Sequence, residues 1–310
     1  MTSHLPAAVR SQDLVFTLYG DYLLDRADGV WVGSLITLLG QLELSPMAVR
    51  VVLSRMARKG WLTVERRGTR SYYGLTRRGR ALLEQGRQRI YQPPRDAAWD
   101  GSWHLVTYSV PEGRRRLRDL LRVKLLWLGC GAVSNGVWIS PHDIRAEVTE
   151  IAESLRLTRH IEVFEARHIA FSSTERLVAQ CWDLKAVNAR YARFIARWTE
   201  AVPACGQCTL TERGAPARGA RARRKPPASC AAPAACFVRR FRIVHEYRAF
   251  PLEDPYLPRA LLPSDWHGDD AARLFAHYHA LLADPAERYV RDTCNAGDER
   301  HEPMPEAAAG

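Results

Sequence analysis

The stretch Leu44-Ser45-Pro46-Met47-Ala48-Val49-Arg50-Val51-Val52-Leu53-Ser54-Arg55-Met56-Ala57-Arg58-Lys59-Gly60-Trp61-Leu62 decides how the N-terminal part of the chain folds. It runs on into the basic turn Arg66-Arg67-Gly68-Thr69-Arg70 and then Ser71-Tyr72-Tyr73-Gly74-Leu75. Ser45 is a good N-cap, and Pro46 suits the first helical position, where an N–H would go unbonded anyway. Gly60 suits the left-handed residue just past a helix end. Val49, Val52, Leu53 and Met56 recur at spacings of three and four, which predicts one buried stripe. Met47, Arg50, Val51, Ser54 and Arg58 then face outward, with Arg55 beside the stripe. A short, partly cationic face of this kind suits a helix lying in a DNA major groove. Arg66, Arg67 and Arg70 on the following hairpin, with Tyr72, are expected to form a wing against phosphate. The pattern is that of a winged helix-turn-helix.

Charge supports that reading by its position. Residues 45–95 carry 13 Lys/Arg against 2 Asp/Glu, an excess equal to the +11 of the whole 310-residue chain. Cations concentrated in one segment are the electrostatic footprint of a nucleic-acid contact; a solvated basic face would be spread more evenly. Arg50 and Arg55 can make bidentate contacts to guanine, and Ser54 can donate to a base or phosphate. Ser45 with the helix N-terminus can hold a phosphate. Arg55 has an alternative role, pairing internally with an acidic residue of the first helix.

Outward from this stretch the chain reads as α+β. Asp13–Tyr22 and a segment led by Trp31-Val32 are two helices preceding the turn, and Thr76 caps a fourth from Arg77 to about Ile90. The paired prolines of Tyr91-Gln92-Pro93-Pro94-Arg95 set an extended linker. Trp103–Val110 alternates as a strand, and Glu112–Leu128 is an amphipathic helix with Leu117, Leu120, Leu121, Leu125 and Leu128 inside. Gly136–Ser140 is a second strand, Pro141 opens another helix, and Ile161–Phe171 is a third strand. That alternation predicts a ferredoxin-like domain. Ser172 to about Val202 is helical. Pro203–Cys236, rich in Ala, Arg, Gly and Pro, is predicted disordered. Phe237–Phe250 and Asp269–Val290 are helices flanking a Pro-rich segment. The expected domains are therefore 1–92 (winged helix), 93–172 (ferredoxin-like) and 173–294 (helical, with a disordered insert at 203–236). Residues 295–310 form a disordered tail.

Several spaced motifs then coincide. They include Phe16-Thr17-Leu18-Tyr19-Gly20-Asp21-Tyr22, Gly60-Trp61-Leu62, Trp99-Asp100-Gly101-Ser102-Trp103 and Gly136-Val137-Trp138-Ile139-Ser140-Pro141. Further on come Arg248-Ala249-Phe250-Pro251, Asp254-Pro255-Tyr256-Leu257-Pro258 and Leu261-Leu262-Pro263-Ser264-Asp265-Trp266. From about residue 12 to 291 the chain resembles the PaaX family of phenylacetate-catabolism repressors. The resemblance implies a winged helix, a ferredoxin-like middle domain and a helical C-terminal domain. It also implies a homodimeric repressor released from double-stranded operator DNA by an aryl-CoA effector, phenylacetyl-CoA.

Arg114, Arg118 and Arg122 share a helix face and can hold the phosphates of a CoA thioester, or simply stay solvated. Trp138, with Trp103 and Trp127, can stack an aryl group, although such aromatics are more often core. Cys205-Gly206-Gln207-Cys208 with Cys230 and Cys236 has loose ligand spacing in low-complexity sequence, so no metal site is assigned. No Gly-x-Ser-x-Gly elbow, phosphate-cradling loop or His-Glu-x-x-His pair is present. The first strand of the middle domain ends on Ser109-Val110-Pro111, where related nucleases carry an acidic metal ligand. His104, His142, His160 and His168 share no ligand spacing. The expectation is a non-enzyme without cofactor. Seven cysteines and no signal peptide point to the reducing cytoplasm, and no apolar run is long enough to span a bilayer. Two alternatives stay open: a winged-helix DNA-binding protein without an effector, and an enzyme acting on CoA esters with a DNA-binding appendage.

Overall fold

The computed structural model of the chain describes residues 11–91, 98–201 and 233–299. The expected loose N-terminus, the paired prolines, most of the 203–236 insert and the end of the tail lie outside these residues. In chain order come α1 (Ser11–Leu18), a π-type turn (Tyr19–Leu23), β1 (Val30–Trp31), α2 (Val32–Gly40), α3 (Pro46–Arg58), β2 (Leu62–Arg67), β3 (Arg70–Leu75) and α4 (Arg77–Tyr91). Then follow β4 (Trp103–Tyr108), α5 (Arg115–Trp127), β5 (Gly131–Ser134), β6 (Val137–Ser140), α6 (Arg145–Ser154), β7 (Ile161–Ala166), α7 (Thr174–Cys181) and α8 (Leu184–Ala201). Last are α9 (Pro233–Tyr247), α10 (Gly268–Leu281) and α11 (Ala283–Glu299). The class is α+β, with two small antiparallel sheets.

The residues fall into two compact units. One gathers the described residues of 1–91, 196–247 and 272–310, the other those of 92–195 and 248–271. This division cuts the chain differently from the consecutive domains that the sequence suggests. In the first unit, Leu14, Leu18, Leu35, Leu39, Val49, Leu53 and Met56 share one core with Phe237 and Phe241 of α9 and Val290 and Cys294 of α11. Helices α9 and α11 therefore share the core of the N-terminal helices, while Tyr191 and Phe194 of α8 pack separately against Phe250.

Local chemistry builds α3 as its sequence predicts. The Ser45 backbone is extended and its Oγ accepts the Ala48 N–H at 3.2 Å. Gly60 adopts φ +72°, and Thr76 Oγ1 accepts the Gly79 N–H at 2.9 Å to cap α4. A Cβ on Gly79 would lie 2.3 Å from the Trp61 carbonyl oxygen, so glycine alone allows α4 to start this close to the hairpin. The three-stranded sheet has the order β1-β3-β2, with Leu62 opposite Leu75 and Arg67 opposite Arg70. Strand β1 is a departure from the sequence reading: Val30 and Trp31 pair with Tyr73 and Tyr72 before the helix begins.

In the second unit the strand order is β5-β6-β4-β7, antiparallel throughout. α5 and α6 contribute Leu121, Leu125, Val148 and Ile151 to a core with Val106 and Trp138. Several expectations are corrected. Strand β5 lies where only a helix end was expected, and β7 stops at Ala166, short of Phe171. Helix α6 begins at Arg145, past Pro141. Leu120 of α5 is exposed, because Leu121 and Leu125 take the core face. The segment after Ser172 is two helices, divided where the Asp183 carboxylate caps α8 by accepting the Ala186 N–H at 3.0 Å. The expected single helix after Asp269 is likewise two, α10 and α11. Residues 233–236, placed in the disordered insert, open α9, and residues 295–299, placed in the tail, close α11.

Candidate nucleic-acid interface

On α3 the buried residues are Val49, Val52, Leu53 and Met56. Opposite them, Met47, Arg50, Val51, Ser54, Arg55 and Arg58 are exposed. Ser45 is also exposed. Its hydroxyl oxygen accepts the capping N–H, which leaves its own O–H to donate outward. Arg55 lies on this exposed side, not turned into the interior. The net result is a helix face bearing three guanidinium groups, two hydroxyls at Ser45 and Ser54, and two apolar side chains.

The hairpin β2–β3 treats its arginines unequally. Arg66 is exposed. Arg67 makes a two-pronged ion pair with Glu65, Nε to Oε1 at 2.9 Å and Nη2 to Oε2 at 2.8 Å, and its guanidinium lies 4.6 Å from the Tyr72 ring centre. Arg70 stacks at 4.6 Å over Trp31. The Glu65 carboxyl is held below its ordinary value, chiefly by the hydrogen bond from Arg67. Tyr72 is only 3 % exposed. The sequence placed it among the DNA-facing residues; the strand alternation instead turns it inward, where it supports Arg67. If the hairpin meets phosphate, Arg66→Ala should lower the magnitude of the salt slope of DNA affinity by about 0.9. Arg67→Ala should lower it less, because Arg67 is already neutralised by Glu65. Mobility-shift titrations between about 50 and 200 mM salt read this directly.

Behind the α4 arginines lies structure. Arg80 donates to the Leu24 and Arg26 carbonyls, Arg87 pairs with Asp25 at 3.1 Å, and Arg78 stacks at 4.0 Å on Trp61. These side chains brace the turn after α1 and the base of the hairpin.

Beneath the surface sits a polar cluster that the sequence reading did not single out. The π-type turn sets Asp21, 4 % exposed, against Arg240 of α9, 3 % exposed, with Arg240 Nη1 2.9 Å from Asp21 Oδ2. This contact is close but off hydrogen-bond alignment. The Tyr91 hydroxyl donates to Asp21 Oδ1 at 2.6 Å, and His279 Nε2 of α10 lies 3.0 Å from the same oxygen. Burial by itself would raise the Asp21 carboxyl; the hydrogen bond from His279 and the charge of Arg240 outweigh it and hold the group below its ordinary value. Tyr19 Oη, in the same turn, donates to the Tyr73 carbonyl of β3 at 2.9 Å. The available signals were Asp21 inside an apolar helix and Arg240 between Phe237 and Phe241, but nothing local pairs them.

The effector residues fare differently. Arg114 and Arg122 are exposed, and Arg118 pairs with Glu112 at 2.9 Å, so the stripe is interrupted. Trp138 is buried in the same core as Val106 and Val148. Trp103 is also buried, stacked on Trp182, while Trp127 is exposed. A cavity of about 730 Å³ does exist in the second unit, against α7, α8 and the 260–267 segment; Val178, Trp182, Leu184, Lys185, Leu261 and His267 line it. None of the predicted effector residues does. Cys205, Cys208 and Cys230 lie outside the described residues, and Cys236 is buried on α9. Among the described residues no group of three or more His, Cys, Asp or Glu is placed to hold a metal ion, and no helix is long and apolar enough to cross a membrane.

Comparison with known proteins agrees with this order of elements. Residues 10–79 match the family described as PaaX-like protein, residues 96–178 the PaaX protein central Cas2-like domain, and residues 182–292 the PaaX-like protein C-terminal domain. The transcriptional repressor PaaX of Escherichia coli (strain K12) is 30% identical over 287 residues, which is 92% of this chain and 84% of that protein. Among solved structures, the uncharacterized protein Rv0674 from Mycobacterium tuberculosis aligns with a TM-score of 0.52 at 22% identity, covering 91% of this chain and 100% of that one.

Proposed function

Because this chain belongs to the PaaX family of transcriptional repressors, we propose that it represses transcription by binding operator DNA through α3 and the β2–β3 hairpin. The observation that carries this is the exposed cationic face of α3 set opposite its buried stripe, in the segment that holds the chain's whole charge excess. On this reading the first unit contains a winged helix-turn-helix, with α2 and α3 as its paired helices. The β-α-β-β-α-β run with sheet order β5-β6-β4-β7 is a ferredoxin-like domain. The role is regulatory, not catalytic, and its place of action is the cytoplasm. A homodimer sets two α3 helices into successive major grooves about 34–36 Å apart on a pseudo-palindrome.

The effector proposed is phenylacetyl-CoA, on the family resemblance. An acyl-CoA releases the protein only if it prefers the DNA-incompetent arrangement, since equal affinity for both states shifts nothing. The cavity beside α7 and α8 has a volume usual for small-molecule sites. The test adds phenylacetyl-CoA to a preformed protein–DNA complex, with phenylacetate and acetyl-CoA as controls. Dissociation by phenylacetyl-CoA alone is expected. A complex indifferent to all three removes the effector and leaves a repressor regulated in some other way. Failure to bind any duplex at low salt removes the DNA reading itself.

A further inference from the structure

The geometry points to the 5-methyl groups of thymine as the features that Met47 and Val51 read, on either side of a guanine taken by Arg50. This inference rests on α3 being the DNA-contacting helix. Met47 is 70 % and Val51 48 % exposed, and neither belongs to the core of the unit. At about 100° per residue, Met47, Val51, Ser54 and Arg58 fall on one narrow ridge opposite Val49, Val52, Leu53 and Met56. The ridge is otherwise cationic or hydroxylic, so its two apolar members sit among groups suited to phosphate and base edges. Both lie in the first half of α3, which is where a helix entering the major groove with its N-terminus reaches bases.

On the major-groove base edges the thymine methyl is the apolar group; the other features are donors and acceptors. An aliphatic side chain in that groove gains by covering a methyl and loses by covering an amino or carbonyl group it cannot bond. Met47 is unbranched and adaptable, while Val51 is short and stiff. Four residues of helix advance about 6 Å, and base pairs are spaced at about 3.4 Å. The two methyls are therefore about two base-pair steps apart, with the Arg50 guanine between them.

The experiment uses the full chain. Tight-binding duplexes are first enriched from a random library. Each thymine in the enriched half-site is then replaced by deoxyuridine, which removes the methyl and keeps the pairing. Two positions per half-site should each lose about four-fold in affinity, the factor for burying one methylene-sized group. In Met47→Ala one of those losses should vanish, in Val51→Ala the other, and in Arg50→Ala both should persist. Far-ultraviolet dichroism and the thermal midpoint confirm that the variants, altered only at exposed positions, remain folded. If deoxyuridine is harmless on a tightly bound site, or its cost is unchanged in both alanine variants, the thymine assignment is overturned while the repressor reading stands. If no duplex is enriched, both fall.

Discussion

Asp21→Ala is expected to lower folding stability by about 3–5 kcal/mol, the range for breaking one side of a buried ion pair. The reason is the burial of Arg240. Its guanidinium is almost wholly out of water, with Asp21 at 2.9 Å and Glu287, half exposed, at 3.4 Å. Removing Asp21 strips Arg240 of its close counter-charge and leaves the Tyr91 hydroxyl without its acceptor. Asp21→Leu combined with Arg240→Met should recover the part of the loss that comes from the uncompensated Arg240 charge, while the unpaired Tyr91 hydroxyl remains a cost. Urea denaturation of the two variants measures both effects; a loss below about 1 kcal/mol for Asp21→Ala would show that the pair is not a structural element. The acid limb follows from the same group. Its folded-state pKa is depressed, so its stabilisation is complete above the unfolded value of about 3.9 and disappears as pH falls through the lower folded value. Wild type should therefore lose stability faster than Asp21→Asn below about pH 4.

Arg50→Ala is expected to cost about 1–3 kcal/mol of specific DNA affinity and to relax discrimination at one base pair. Arg50 lies in the exposed row of α3, and its fork matches the O6/N7 edge of guanine. On the proposed reading, with Arg50 on a base and Arg66 on phosphate, the salt slope of Arg50→Ala should barely change, whereas Arg66→Ala should change the slope and leave sequence preference intact. Parallel titrations against the preferred duplex and a scrambled one separate the two. Equal affinity of Arg50→Ala and wild type for the preferred duplex would take Arg50 out of base readout.

The parts legible in the sequence are those set by neighbours along the chain. Ser45, Pro46 and Gly60 mark the ends of α3, and the spacing of Val49, Val52, Leu53 and Met56 gives its buried side. Two residues carry no period, so β1 left no trace. Pro285, near the start of α11, and Asp183, capping α8, are the local signals that divide the two helices. Tyr72 shows that aromatic character in a basic hairpin does not tell which face a strand presents. For Trp138 the sequence leaves an aryl-stacking role beside the commoner core one, and the sheet places it in the core. The Asp21–Arg240 pair joins residues more than two hundred positions apart, and no periodicity or spacing encodes such a contact.

That Phe237, Phe241, Val290 and Cys294 stand in the same core as Leu35 and Leu53 has a consequence for biosynthesis. The early helices leave the ribosome with an apolar flank that α9 and α11 cover in the folded chain, and both are translated late. A polypeptide that ends before α11 lacks Val290 and Cys294 from this core, so it should be less stable than the full chain.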